Sequence, residues 1–239
     1  MLGAYTWAKS IDLSSERGSG DRGGGFDTGG ANVRDRAAYA RGLSGFDARH
    51  RLVLSSVYEL PFGRGKGLMK NAGRVLSRVA GGWEVSAIAL FQSGFPTTAV
   101  MSADINGDGI PDRPDFVAPL QYDTRNPNCY IVDSHNPACG TSNVSFVDLP
   151  AGSLRFGSAG RNIIIGPGLF NWDTGVSKNT RFGHDDRFNV QFRWEIFNLF
   201  NRANFNQPNR TVNVTSPRFG TISSAGRARE MQLGLKLEF

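Results

Sequence analysis

The residues with the clearest chemical spacing lie in Asp104-Ile105-Asn106-Gly107-Asp108-Gly109-Ile110-Pro111-Asp112-Arg113-Pro114-Asp115. Oxygen-bearing side chains stand at the first, third, fifth and ninth positions, with a glycine at the sixth. Calcium is bound by hard oxygen ligands, and glycine lets the chain turn sharply around the ion. Asp104, Asn106, Asp108 and Asp112 are therefore the candidate metal ligands, and calcium is the one cofactor the sequence points to. Asp115 stands where an EF-hand has Glu, and Pro111 and Pro114 exclude the helix that would follow. Two readings stay open, an isolated calcium loop or a solvated cluster of Asx turns.

Little else has catalytic spacing. Gly18-Ser19-Gly20-Asp21-Arg22-Gly23 fits a dinucleotide pattern, but it runs on into Gly24-Gly25 with no strand before it or helix after it, so it reads as a flexible loop. His50, His135 and His184 are scattered, and no nucleophile elbow, Walker loop or zinc spacing occurs. The expectation is no enzyme. Cys129 and Cys139 suit one disulfide in an oxidising compartment or two free thiols. In an outer-surface loop they are expected to be bonded, and Cα atoms more than about 7 Å apart would exclude the bond. The net charge of +6 suits an anionic membrane surface. No nucleic-acid motif accompanies it, so no nucleic-acid partner is expected.

The elements that must carry these residues have a period of two. In Phe188-Asn189-Val190-Gln191-Phe192-Arg193-Trp194-Glu195-Ile196, the aromatic and aliphatic residues share one face and the polar ones the other. The terminal Met231–Phe239 alternates in the same way. Segments 49–61, 82–92 and 170–182 are further strands, and 2–9 is a short one whose faces the sequence leaves unassigned. Arg51, Glu59, Glu84, Asp173, Arg181, Arg193, Glu195, Lys236 and Glu238 then form one charged row. Connections alternate in length: 10–48, 93–169 and 198–226 are long, whereas 183–186 is a tight turn. With Phe239 in the periplasm, all three long loops fall on the outer side, as in outer-membrane barrels. Trp83, Phe182, Phe188 and Phe239 then lie near the inner interface, and Phe91, Phe170, Trp172 and Phe197 near the outer one. The fold class expected is all-β, an antiparallel up-and-down meander of six strands within a large transmembrane β-barrel.

One connection differs. In 67–80, Leu68, Ala72, Val75, Leu76 and Val79 recur at helical steps, while Lys70, Arg74 and Arg78 fall elsewhere on the wheel. This predicts a short helix in a periplasmic turn, docked on the barrel rim or the inner leaflet.

Several stretches resemble a known family. Phe46-Asp47-Ala48-Arg49-His50-Arg51-Leu52-Val53-Leu54-Ser55, Tyr58-Glu59-Leu60-Pro61-Phe62-Gly63, Gly81-Gly82-Trp83-Glu84-Val85-Ser86, Asp112-Arg113-Pro114 and Arg193-Trp194-Glu195-Ile196-Phe197-Asn198-Leu199-Phe200-Asn201 look like the barrel of Oar-like TonB-dependent transporters. Leu235-Lys236-Leu237-Glu238-Phe239 resembles the closing strand that the barrel-assembly machinery reads. The resemblance implies the bacterial outer membrane, a barrel of about 22 strands with a plug, partnership with the TonB complex and membrane lipid, and energy-coupled uptake. Residues 1–239 would be the C-terminal segment of such a barrel, from a longer gene product or an incomplete gene. Met1-Leu2-Gly3-Ala4-Tyr5-Thr6-Trp7 lacks the form of a signal peptide, so an export signal is expected upstream or missing. Two other classes remain: an outer-membrane barrel with a structural or adhesive role through its loops, and a soluble carbohydrate-binding β-sandwich.

Overall fold

The computed structural model describes residues 1–13, 40–62, 66–69, 71, 73–105, 112–153, 155–183, 187–212 and 218–239. Its frame is one six-stranded sheet. The strands are β1 (Leu2–Trp7), β2 (His50–Glu59), β3 (Trp83–Gln92), β4 (Leu169–Phe182), β5 (Phe188–Phe197) and β6 (Glu230–Glu238). Each pairs antiparallel with its neighbours in sequence order, so the expected meander is observed.

Register makes the alternation of single strands into two continuous faces. Leu52 stands opposite Phe91, Phe91 opposite Phe170, Val85 opposite Val176, Val176 opposite Trp194, and Trp194 opposite Leu233. Pairing also assigns the faces of β1: Tyr5 opposes Leu52 and Gly3 opposes Leu54, which places both on the apolar side. Side-chain period is two, so a slip of one residue would mix the faces. Phe91 and Phe170 rings meet at 4.7 Å near one end of the sheet, and Phe182 and Phe188 stack at 5.5 Å at the other. Phe197 departs from the expected outer ring. It opposes Glu230, and its parity puts it on the polar face, away from Phe170 and Trp172.

The helical connection is shorter than its apolar spacing predicts. Helix α1 covers only Arg74–Ala80. Gly73 is extended (φ −57°, ψ 156°), and Met69 takes φ 65°. Leu68 instead donates its N–H to the Pro61 carbonyl at 2.8 Å and bridges Phe62. The turn must first bring the chain back beside β2, and this backbone pairing overrides helical propensity before Gly73. Gly82 follows with φ +76°, where an added Cβ would lie 2.3 Å from the Asn179 carbonyl oxygen. Only glycine gives that close approach of the turn to β4.

Among the described residues, the main cluster of buried hydrophobic side chains lies outside the six-stranded sheet. Ala99, Tyr130, Ile131, Phe146, Ala159, Ile164, Val212, Phe219 and Ile222 pack together at the long-loop end. Segments that read as aperiodic loops therefore build a packed cap. Short strand pairs hold it: Pro96–Thr97 with Ile164–Ile165, Asp115–Phe116 with Phe146–Val147, Ile11–Asp12 with Gly42–Leu43, and a parallel pair, Thr211–Val212 with Val100–Met101.

Candidate functional site

The charged row predicted from alternation assembles on one face. Glu59 opposes Glu84, Glu84 opposes Ser177, and Ser177 opposes Arg193. Arg181 opposes Asn189, Asn189 opposes Glu238, Gln191 opposes Lys236, and Gly175 opposes Glu195. Arg51 and Asp173 share this parity, opposite Gln92 and Ile88. Like charges directly opposite destabilise a strand pair. At Glu59–Glu84 the repulsion is offset by Lys66, whose ammonium lies 2.8 Å from Glu59. Asn189 donates to Glu238 at 3.0 Å, Gln191 to Asn179 at 3.0 Å, and Lys236 pairs with Glu238 at 2.6 Å. Such exposed pairs contribute little stability each. Together they make a wettable wall with both signs of charge fixed in place.

This polar face carries two hollows. One hollow of about 350 Å³ is lined by Glu84, Ser177, Asn179, Gln191, Arg193 and Glu195. A second of about 500 Å³, toward the strand middles, includes Val57, Ile88, Asp173, Glu195 and Phe197. A third hollow, about 710 Å³, lies elsewhere. Tyr5, Leu52, Phe91 and Phe170 from the apolar face line it together with Tyr130 and Phe205 of the cap. It is on the opposite side of the sheet from the charged row and is not part of the polar wall.

The cap is joined by polar groups. Cys129 and Cys139 are bonded, with Cα atoms 5.2 Å apart, as expected. Each ends a 3₁₀ turn begun by Asn-Pro: Asn126 accepts from the Asn128 N–H at 3.1 Å, and Asn136 from the Ala138 N–H at 3.1 Å. The repeated Asn-Pro-x-Cys tetrad was the available signal for these paired turns. Buried Asp133 accepts from His135 Nδ1 at 2.6 Å, the His135 N–H at 3.0 Å and the Ser145 N–H at 2.7 Å. Burial alone would push the Asp133 carboxyl up, but these hydrogen bonds together hold it below its ordinary value. His135 is pushed up by its hydrogen bond to Asp133. The Arg155 guanidinium, with help from Ser158, lowers the Asp115 carboxyl to about 2.

The calcium-loop residues divide. Asp112 is buried, and its Oδ2 accepts the Ile105 N–H at 2.8 Å. Asp112 also accepts the Met101 N–H through its carbonyl at 2.7 Å, which ties the end of the loop to the cap. Both contacts fasten the end of the loop to the chain that enters it. Asp104 lies at the other end, and Asn106 and Asp108 are outside the described residues. Among the described residues, no group of three His, Cys, Asp or Glu side chains could hold a metal. The Gly18–Gly23 run and His184 also lie outside the described residues.

Two features had no reading in the sequence. Asn198 and Asn201, just after β5, take φ 51° and 49°. Asn198 donates to the carbonyls of Arg202 (2.9 Å) and Arg227 (3.1 Å), and its N–H donates to Asp173 at 2.8 Å. Asn201 accepts the Arg229 N–H at 3.0 Å, so the two residues turn the chain and fasten it to the start of β6. Asn is among the few non-glycine residues that tolerate this backbone region. The second is Lys178, a cation on the apolar face. It donates to the carbonyls of Arg78 (3.0 Å), Val79 (2.9 Å) and Gly81 (2.6 Å), closing the C-terminus of α1.

Comparison with known families then gives one finding. The family model described as an outer membrane beta barrel domain matches residues 1–232. No curated protein and no solved structure matches the chain.

Proposed function

The chain belongs to the outer membrane beta barrel domain family, and on that premise we propose that it forms part of the wall of an Oar-like, TonB-dependent transporter that takes up a substrate. Membership places it in the bacterial outer membrane. The observation that carries the reading is a meander with a continuous apolar band on one face, a charged row on the other, and two unclosed edges, β1 and β6. Six strands cannot close even the smallest barrels of about eight. An open edge in lipid would leave backbone groups unpaired. On this reading β1 and β6 therefore pair with further strands, and the charged row faces a lumen wide enough for water or a plug.

TonB dependence and the Oar-like type draw their support from the resemblance of the quoted segments. The partners in this reading are membrane lipid, the rest of the barrel with its plug, the TonB complex, and the barrel-assembly machinery acting on the strand that ends in Phe239. It contains no catalytic step. Its test mixes the assembled barrel with the purified periplasmic domain of TonB. A stable complex is expected, as is substrate uptake that stops when the proton gradient is collapsed. An intact barrel that forms no such complex would overturn TonB dependence and leave the family unaffected.

A second reading, surface attachment without transport, is favoured by the cap, which has its own core and a disulfide. Binding of cells to a surface that persists unchanged after the proton gradient is collapsed, with no uptake, would support it over the first.

A further inference from the structure

Helix α1 has its polarity reversed relative to a helix on a soluble protein. Val75, Leu76 and Val79 are 77%, 53% and 63% exposed, and Arg78 is exposed beside them. At about 100° per residue these three apolar residues fall within one arc of about 100°. The small residues Ser77 and Ala80, which are less exposed, fall outside that arc, about 100° and about 40° past Leu76. The apolar stripe therefore points away from the protein, not onto a barrel rim.

The place of the helix says what meets that stripe. Lys178 and Trp83 both stand on the apolar face of the sheet, opposite one another in the β3–β4 register. Lys178 closes the last carbonyls of α1, Trp83 Nε1 donates to the Val79 carbonyl at 3.3 Å, and the Lys178 ammonium lies 5.0 Å from the Trp83 ring centre. The helix is thus fastened on the apolar side of the sheet, at the short-turn end. A cation at a helix C-terminus also matches the helix dipole. From Phe62 to Gly82 the chain carries Arg64, Lys66, Lys70, Arg74 and Arg78 and no acidic residue. Of these, Arg78 is exposed beside the apolar stripe, and a basic residue so placed at membrane level matches anionic headgroups.

We propose that α1 seats Val75, Leu76 and Val79 in the periplasmic leaflet of the outer membrane, held there by anionic phospholipid headgroups. This rests on the barrel placement above. The test uses the assembled barrel that contains this chain, reconstituted into vesicles. Both cysteines are in the disulfide, so one introduced thiol can be labelled alone. A bimane is placed at Val75→Cys, at Leu235→Cys in the apolar band of β6, or at Val117→Cys on the exposed surface of the cap. Quenching is read from phospholipids that carry a nitroxide on the acyl chain. Position 75 is expected to be quenched well above position 117, more in vesicles containing phosphatidylglycerol than in pure phosphatidylcholine. Arg78→Glu is expected to weaken the seating in phosphatidylglycerol at least about fivefold, since one cation near an anionic surface contributes roughly that factor. Quenching at 235 but not at 75 overturns the helix assignment alone, including the case where a blue-shifted label at 75 reveals a protein neighbour instead. Equal quenching at 75 in both lipids overturns the role of anionic headgroups. No quenching at 235 overturns the barrel placement, and the inference with it.

Discussion

At the scale of single residues, the side chains that hold this chain together are mostly short and polar. Asn198 is nearly buried, sits at positive φ, and satisfies two carbonyls from different segments. Asn198→Ala removes both donors and places a side chain that disfavours φ 51° there. Losing these part-buried hydrogen bonds costs about 0.5–1.5 kcal/mol each. Unfolding of the assembled barrel by denaturant should shift by that amount, and hydrogen exchange should show the loss first around 198–202 and 227–230. Asn198→Gly, which relieves the backbone but not the carbonyls, should recover only part. Asp133 and His135 give a pH prediction. The raised pKa of His135 means that its contribution is complete below the ordinary value of 6.5 and fades as pH rises through the raised one. The lowered pKa of Asp133 means that its contribution is present above 3.8 and fades as pH falls through the lowered value. The cap should therefore resist proteolysis best between those limits and loosen on the alkaline side. His135→Asn should remove the alkaline loosening; a variant with the same alkaline profile would disprove the role of the pair. Calcium remains a proposal for Asp104, Asn106, Asp108 and Asp112, and Asp108→Ala should weaken calcium binding by the barrel. An unchanged affinity by titration calorimetry would favour the Asx-turn reading.

At the scale of elements, the two faces of a strand should answer differently to the same substitution. Leu235 is on the lipid side of β6, near its middle, opposite Phe192. Gln191, on β5, is on the polar side. Leu235→Arg should cost about 2–4 kcal/mol in a bilayer, whereas Gln191→Arg should be tolerated. Equal penalties would mean that the faces are assigned wrongly. The disulfide is the corresponding device in the cap. It closes a short loop, with a sequence separation of 10, and a loop of that size contributes about 3 kcal/mol by chain entropy. Cys129→Ser with Cys139→Ser should leave the six-stranded sheet intact by circular dichroism while protease cleavage within 112–165 accelerates. Element boundaries were legible where a local period set them: the strands fall within a few residues of the apolar alternation. The start of α1 was not, because Leu68 is engaged by Pro61 and Phe62, a contact that no helical wheel contains.

At the scale of the whole molecule, β1 and β6 are unpaired along one side each. Edges of this length invite further pairing. Folded alone in detergent micelles, the chain should be rich in β structure but self-associated, with cross-links concentrated between residues of 2–7 and 230–238. Within an assembled barrel the same positions should cross-link to other strands of that barrel. A monodisperse monomer of this chain in detergent-free buffer would contradict the membrane placement.

Alternation by itself determined the strands, the meander and the charged row, because a period of two is written in adjacent residues and needs no distant partner. It also carried the disulfide pair, once both cysteines fell in one loop. The cap was decided only in three dimensions. Ile131, Phe146, Ile164, Val212 and Phe219 come from separated segments and share no period, so nothing local marks them as a core. The same holds for Lys178, whose place on an apolar face makes sense only when the end of α1, remote in sequence, is brought beside it. Short-range order follows from the side-chain pattern, whereas packing among distant loops depends on which ends the sheet brings together.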